Sequence, residues 1–149
     1  MATTVSTATL TVSIQETITL NGTKQGATVN AKFGKIKQVD ERVLTVPTHE
    51  VALMSLSSSA AAGTYVTSKV RYVRFTNLDD TNHVRLTFVS GSKNRFDTKL
   101  EAGRSMMFTN AAMSGSAAGA SFNTFSNFTS VKATANSSAV DIGLFVATI

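Results

Sequence analysis

The side chains most able to do chemistry are few and scattered. His49 and His83 are the two histidines, and imidazole is the side chain that titrates near neutral pH without help. His49 follows Pro47-Thr48 in a turn, and His83 opens a strand. A metal site needs several ligands at defined spacing, and no cluster of His with Asp or Glu occurs. Cysteine is absent, which removes disulfides, thiolate zinc sites and cysteine nucleophiles. Carboxylates pair twice, as Asp40-Glu41 and Asp79-Asp80. Glycoside hydrolysis needs two carboxylates about 5–10 Å apart across a cleft. Neighbours in a polar turn are solvated instead, with Asp bonding its own backbone. Neither histidine adjoins a Gly-x-Ser-x-Gly elbow, and no Gly-Lys-Ser/Thr follows Gly115 or Gly119. The expectation is no catalytic residue, no cofactor and no metal.

Binding chemistry is better represented. The formal net charge is +5, and the densest basic region holds Arg71, Arg74, Arg85, Lys93, Arg95 and Arg104. Arg71 and Arg85 on one hairpin would form a stripe facing phosphates or an acidic protein. Single-strand nucleic-acid binding also needs exposed aromatics between the cations, and Phe75, Phe88 and Phe96 read as core. A solvated or protein-facing role is therefore expected, with nucleic acid disfavoured. Phe122, Phe125 and Phe128 follow at spacing three. They are either an anchor for a neighbouring subunit or a lid on the core, the default for aromatics. The candidate partner contacts are Arg71, Arg85, Arg104, Phe122 and Phe125. Asn21, Asn127 and Asn136 begin glycosylation-type triplets, which come cheaply in so Ser/Thr-rich a chain.

The elements that must position these residues are strands. Leu10, Val12, Ile14, Ile18 and Leu20 share one parity against Thr11, Ser13, Thr17 and Thr19, the two-residue period of a half-buried strand. Glu16 breaks the apolar parity, marking a bulge or an end open to water. Asn21-Gly22 supplies a turn, and Val29, Ala31 and Phe33 resume the alternation until Gly34. Asp40-Glu41 reads as a turn before a short strand, Arg42 to Val46. Val51 to Leu56 is apolar on both parities, as in a strand covered on both sides. Residues 57–63 form a connector. Val66 to Thr76 and Val84 to Phe88 read as a hairpin around the polar segment 77–82. Glu101-Ala-Gly103 is a turn, Ser105 to Thr109 a short strand, and 111–121 a flexible surface loop. Val140, Ile142, Leu144 and Val146 close the chain as a strand central to its sheet.

At 149 residues, with β-branched Thr and Val abundant, the chain is expected to be one all-β domain: an antiparallel β-sandwich or jelly roll of about 8–10 strands. Residues 1–8 would extend from it as an N-terminal arm. Charged residues amount to 15%, below the roughly 25% usual for soluble domains, so the surface loses little when another protein covers it. The N-terminus lacks the pattern of a signal peptide. No apolar run approaches the ~20 residues needed to cross a bilayer, and no membrane partner is expected.

Residues 66–148 resemble small structural proteins of tailed bacteriophage particles, particularly those of marine phages. The likeness is carried by Tyr72-Val-Arg-Phe-Thr-Asn-Leu-Asp-Asp-Thr-Asn82 and Val84-Arg-Leu-Thr-Phe88. It continues through Lys99-Leu-Glu-Ala-Gly-Arg-Ser105, Ser130-Val-Lys-Ala-Thr-Ala135 and Val140-Asp-Ile-Gly-Leu-Phe-Val-Ala147. The resemblance implies a many-copy, non-enzymatic β-sandwich of the virion, assembled in the host cytoplasm. Its partners would be itself, as a homo-oligomer that is often a trimer, and the major capsid protein. Two placements follow: a decoration or cement protein on the head, or a tail- or fibre-associated module that binds a receptor or carbohydrate. The short chain without coiled-coil heptads favours decoration.

Overall fold

The computed structural model describes residues 4–91, 94–109, 112–113, 122–125 and 127–149. In chain order the strands are β1 (Ala8–Gln15), β2 (Ile18–Leu20), β3 (Thr23–Gln25), β4 (Thr28–Ile36), β5 (Gln38–Val46), β6 (Val51–Ser57) and β7 (Tyr65–Val66). There follow a 3-10 turn (Thr67–Lys69), β8 (Val70–Asn77), β9 (Val84–Ser90), β10 (Asn94–Leu100), β11 (Ser105–Phe108), β12 (Ala112–Met113), β13 (Asn123–Thr124), β14 (Phe128–Ala135) and β15 (Val140–Thr148).

Two sheets stack on one core. The four-stranded sheet runs β11-β8-β15-β5, and the five-stranded sheet runs β10-β9-β14-β6-β7. All neighbours are antiparallel except β6 and β7. Numbering the eight long sandwich strands from β5, the orders are 1-8-3-6 and 2-7-4-5, the winding of a jelly roll. The chain is thus an all-β sandwich, as the alternation predicted. Inward side chains include Val73 and Phe75 of β8, Leu86 and Phe88 of β9, and Ile142, Leu144 and Val146 of β15. β15 is central, paired with β5 on one side and β8 on the other.

Several expectations on pairing are overturned. Residues 66–88 are not a hairpin: β8 and β9 belong to opposite sheets, and segment 78–83 crosses between them. The crossing is held by Asn77, which is buried. Its amide nitrogen donates to the carbonyls of Asn82 (2.9 Å) and Leu100 (3.2 Å), and its oxygen accepts the Asp79 N–H (2.9 Å). Asp40-Glu41 is no turn but lies within β5, and the break falls at Lys37. Nor is β6 covered on both sides. Leu53 is an extra residue opposite Val131/Lys132, and this bulge turns Leu53, Met54 and Leu56 all into the one core. Arg71 is likewise skipped in the β8–β15 ladder, where Ala147 pairs Tyr72 and Thr148 pairs Val70. Phe96, read as core, is 59% exposed on the edge strand β10.

Residues 4–7 are exposed and outside any strand, and 1–3 of the expected terminal arm lie outside the described residues. A larger arm follows them. β1 to β4 form one long hairpin whose register is the same at Leu10↔Phe33, Ile14↔Val29 and Leu20↔Thr23. Its two-residue tip is Asn21-Gly22, both at positive φ (49° and 79°), as a type I′ turn requires. The ladder is interrupted at Glu16, whose N–H bonds Ala27 O. There Gly26 (φ 115°) presses so close that an added Cβ would lie 2.1 Å from Glu16 O. Of the expected loop 111–121, residues 112–113 pair with β13; residues 111 and 114–121 lie outside the described residues.

Because Asn77 satisfies three backbone groups at the sheet crossing, Asn77→Ala is expected to cost about 2–4 kcal/mol, at roughly 1 kcal/mol per hydrogen bond. Urea unfolding of the two proteins measures the difference.

Candidate interaction surface

The outer faces of the two sheets differ in kind. On the five-stranded sheet the outward positions of β9, β10 and β14 carry Arg85, Thr87, Arg95, Asp97 and Lys132. Glu50, just before β6, bonds both Lys132 (3.1 Å) and Arg95. The Lys132 hydrogen bond, with that of Arg95, holds the Glu50 carboxyl below its ordinary range. Asp97 accepts the Thr87 hydroxyl (2.6 Å) and pairs with Arg85 (3.5 Å). His83 borders this hollow beside Arg85 and Asp97. The surface is charged, and its charges answer one another.

The four-stranded sheet carries large apolar side chains outward as well as inward. Tyr72, Phe145 and Ala147 project from its outer side, and the base of the arm lies on them. Leu10, Val12, Phe33 and Ile36 of the arm pack with Tyr72, Ala147, Phe145 and Ile149 in a second cluster, separate from the sandwich core. The Phe33 and Tyr72 rings lie 5.8 Å apart, as do Tyr72 and Phe145. Arg74 stacks over Phe145 at 5.5 Å, and its Nε is buried without a hydrogen-bond partner among the described residues. A break at the base of β4, with Lys35 at φ 61°, turns Ile36 inward to complete the seat.

That seat covers only part of the face. Val39 and Val43 of β5, on the outward parity, are 50% and 62% exposed, and Leu78, beside Gly143, is 54% exposed. Met107 of β11 adds to the same side. The arm is likewise half used. Beyond Ile14 every residue from 15 to 30 is exposed, although Ile18, Leu20 and Val29 continue the apolar side that Leu10 and Val12 bury.

The predicted contact residues are not brought together. Arg71, the bulged residue, folds its guanidinium back onto the carbonyls of Ser68 (2.8 Å) and Val70 (3.0 Å). Arg85 sits on the other sheet, so no Arg71–Arg85 stripe exists. Arg104 is exposed in a turn, where its carbonyl accepts the Asn77 N–H. Phe125 is buried in the core with Phe108 (5.8 Å) and Phe128 (6.3 Å), whereas Phe122 is 75% exposed. The spacing of three thus served a lid at 125 and 128 but not at 122. The residues that sequence reasoning missed are Val39, Val43, Leu78, Ile18 and Leu20. Leu78 did leave a signal, as the lone apolar residue in the polar segment 77–82.

A second polar cluster lies at the free edge of β5. The Tyr65 hydroxyl donates to the Asp40 carboxylate, and Arg42 donates to the Tyr65 oxygen (3.2 Å). Burial, then the Asp40 bond, pushes the Tyr65 hydroxyl up to about 12. Asp79 behaves oppositely: the N–H groups of Asn82 and Thr81 hold its carboxyl below the ordinary range. Among the described residues no group of three or more His, Asp or Glu is placed to hold a metal ion. No helix is long and apolar enough to cross a membrane among them. Comparison with known protein families and with curated proteins finds no match.

Because the folded state favours the neutral Tyr65 hydroxyl, its stabilising contribution is full below pH 10 and is lost as pH rises towards about 12. Phenolate absorbance of the native protein is expected to show a step at about pH 12 that Tyr65→Phe removes, together with part of the alkaline loss of stability.

Proposed function

We propose that this protein is a non-enzymatic structural component of a tailed-phage particle, a decoration protein set in many copies on the capsid. The observation that carries the reading is a jelly roll from which a long hairpin projects with half its apolar side uncovered. Jelly rolls recur in viral capsid and lectin domains, and the fold alone does not choose a function. The surfaces add to the choice. The ionic groups of the five-stranded face are engaged with one another, whereas the four-stranded face leaves large apolar side chains uncovered, the kind of patch that assembly uses. The resemblance of residues 66–148 to phage structural proteins points the same way. The protein would be assembled in the host cytoplasm, with copies of itself and the major capsid protein as partners.

The alternative places the same sandwich at the tail or on a fibre, binding a receptor or carbohydrate. The polar hollow around Glu50, His83, Arg85 and Asp97 favours it, since such side chains can bond sugar hydroxyls. Quantitative mass spectrometry of purified particles separates the readings. Roughly hundreds of copies per particle are expected for a symmetric shell. About a dozen would instead favour the tail, and absence from particles would contradict both.

A further inference from the structure

The outer half of the arm and the open part of the four-stranded sheet are two uncovered apolar surfaces on one chain. We propose that they cover each other between molecules: the arm of one copy docks, apolar side down, on the outer face of the four-stranded sheet of a second copy. This inference rests on the assembly reading above and names the partner and the contact.

Four observations support a second copy as the occupant. First, the chain already makes this type of contact with itself, because the base of the same ribbon lies on the same face through Leu10, Val12 and Phe33. The docking surface continues that seat past Phe145 to Val43 and Val39, which flank its β5 partner Glu41 and lie opposite Gly143 and Ala147. Second, the chemistry matches on both sides: Ile18, Leu20 and Val29 on the arm meet Val39, Val43 and Leu78 on the face, all at least half exposed.

Third, the charges are opposite. The arm carries Lys24, Lys32 and Lys35 against Glu16. Lys24 and Lys32 pair with Thr19 and Thr11, on the side away from the apolar residues, so their pull on an acidic border is long-range steering and not ion pairing across the contact. The uncovered part of the face is bordered by Glu41 and Asp141 on outward positions and by Asp79 beside Leu78. Among the described residues no ion pair within the chain engages these three lysines or these three carboxylates. Fourth, the reach is adequate. From Ile14 to Leu20 the ribbon extends about 20 Å at roughly 3.3 Å per residue, while four strands span about 14 Å. A two-stranded ribbon is marginal when left in water, so docking also gives the arm the partner it lacks. Arm-on-face contact is heterologous, which closes a ring or extends an array.

The lack of native cysteine makes the contact directly testable in the full chain. Leu20→Cys and Val43→Cys proteins are mixed and oxidised. Thr19→Cys, on the opposite side of the ribbon, replaces Leu20→Cys in the control. The docking predicts a mixed disulfide dimer at least about tenfold more abundant for 20 with 43 than for 19 with 43, because a disulfide needs Cα atoms within about 7 Å. Sedimentation of the untagged chain is expected to show association that Leu20→Asp and Val43→Asp each weaken by at least about tenfold, with circular dichroism unchanged. A chain monomeric at every concentration overturns the inference. So does a cross-link that runs equally through Thr19, a Leu20–Leu20 pairing that dominates, or association that neither Asp variant moves. These failures leave the particle placement standing if the protein is still found in virions. Absence from virions with the cross-link intact overturns that placement and not the docking.

Discussion

The fold turns on the double duty of β15. Ile142, Leu144 and Val146 point into the sandwich core, and the intervening Phe145 and Ala147 point out into the cluster under the arm. One strand therefore joins two hydrophobic layers with a single hydrogen-bonded sheet between them. β8 shares the burden, giving Val73 and Phe75 to the inner layer and Tyr72 to the outer one. A sheet greasy on both sides needs a cover on both sides. The five-stranded sheet supplies the inner cover in full, and the arm supplies the outer cover in part.

The contrast with the other sheet follows from its outward residues. Arg85 pairs with Asp97, and Glu50 pairs with both Arg95 and Lys132; such exposed pairs contribute little to stability, on the order of 0–1 kcal/mol each. They keep that side wet and self-sufficient. The molecule thus has one face whose charges pair with one another and one whose apolar side chains are partly uncovered, with the arm beside the second.

Much of the sandwich was legible in the sequence because alternation at two-residue period reports burial directly. Strand β15 was read with its residues and its central place. Pairing was less legible, because partners in a jelly roll are distant in the chain. β8 and β9 looked like a hairpin, and nothing local reveals that the Asn77 side chain holds a crossing to the other sheet. Bulges were hidden for a related reason. An extra residue at Leu53 or Arg71 shifts parity, so an apolar run on one face mimics a strand buried on two. Exposure was hardest. Leu10 and Leu20 share a parity and a residue type, yet one is seated and the other is in water, and only the path of the ribbon separates them. Phe96 and Phe125 fail and succeed by the same logic: an aromatic facing the core side of an edge strand stays open, while one folded under Phe108 does not. The candidate arginines were chosen by density in sequence, which the division into two sheets dispersed.

On the proposed docking, the outward apolar layer of the four-stranded sheet is completed only when a second chain arrives. Hydrogen–deuterium exchange, followed from dilute to concentrated protein, tests it at each amide. Steady protection of residues 142–147 is expected throughout, with fast exchange at 16–27 in dilute solution that slows as concentration rises. Protection at 16–27 that is already high in the dilute monomer, or exchange there that never responds to concentration, would contradict it.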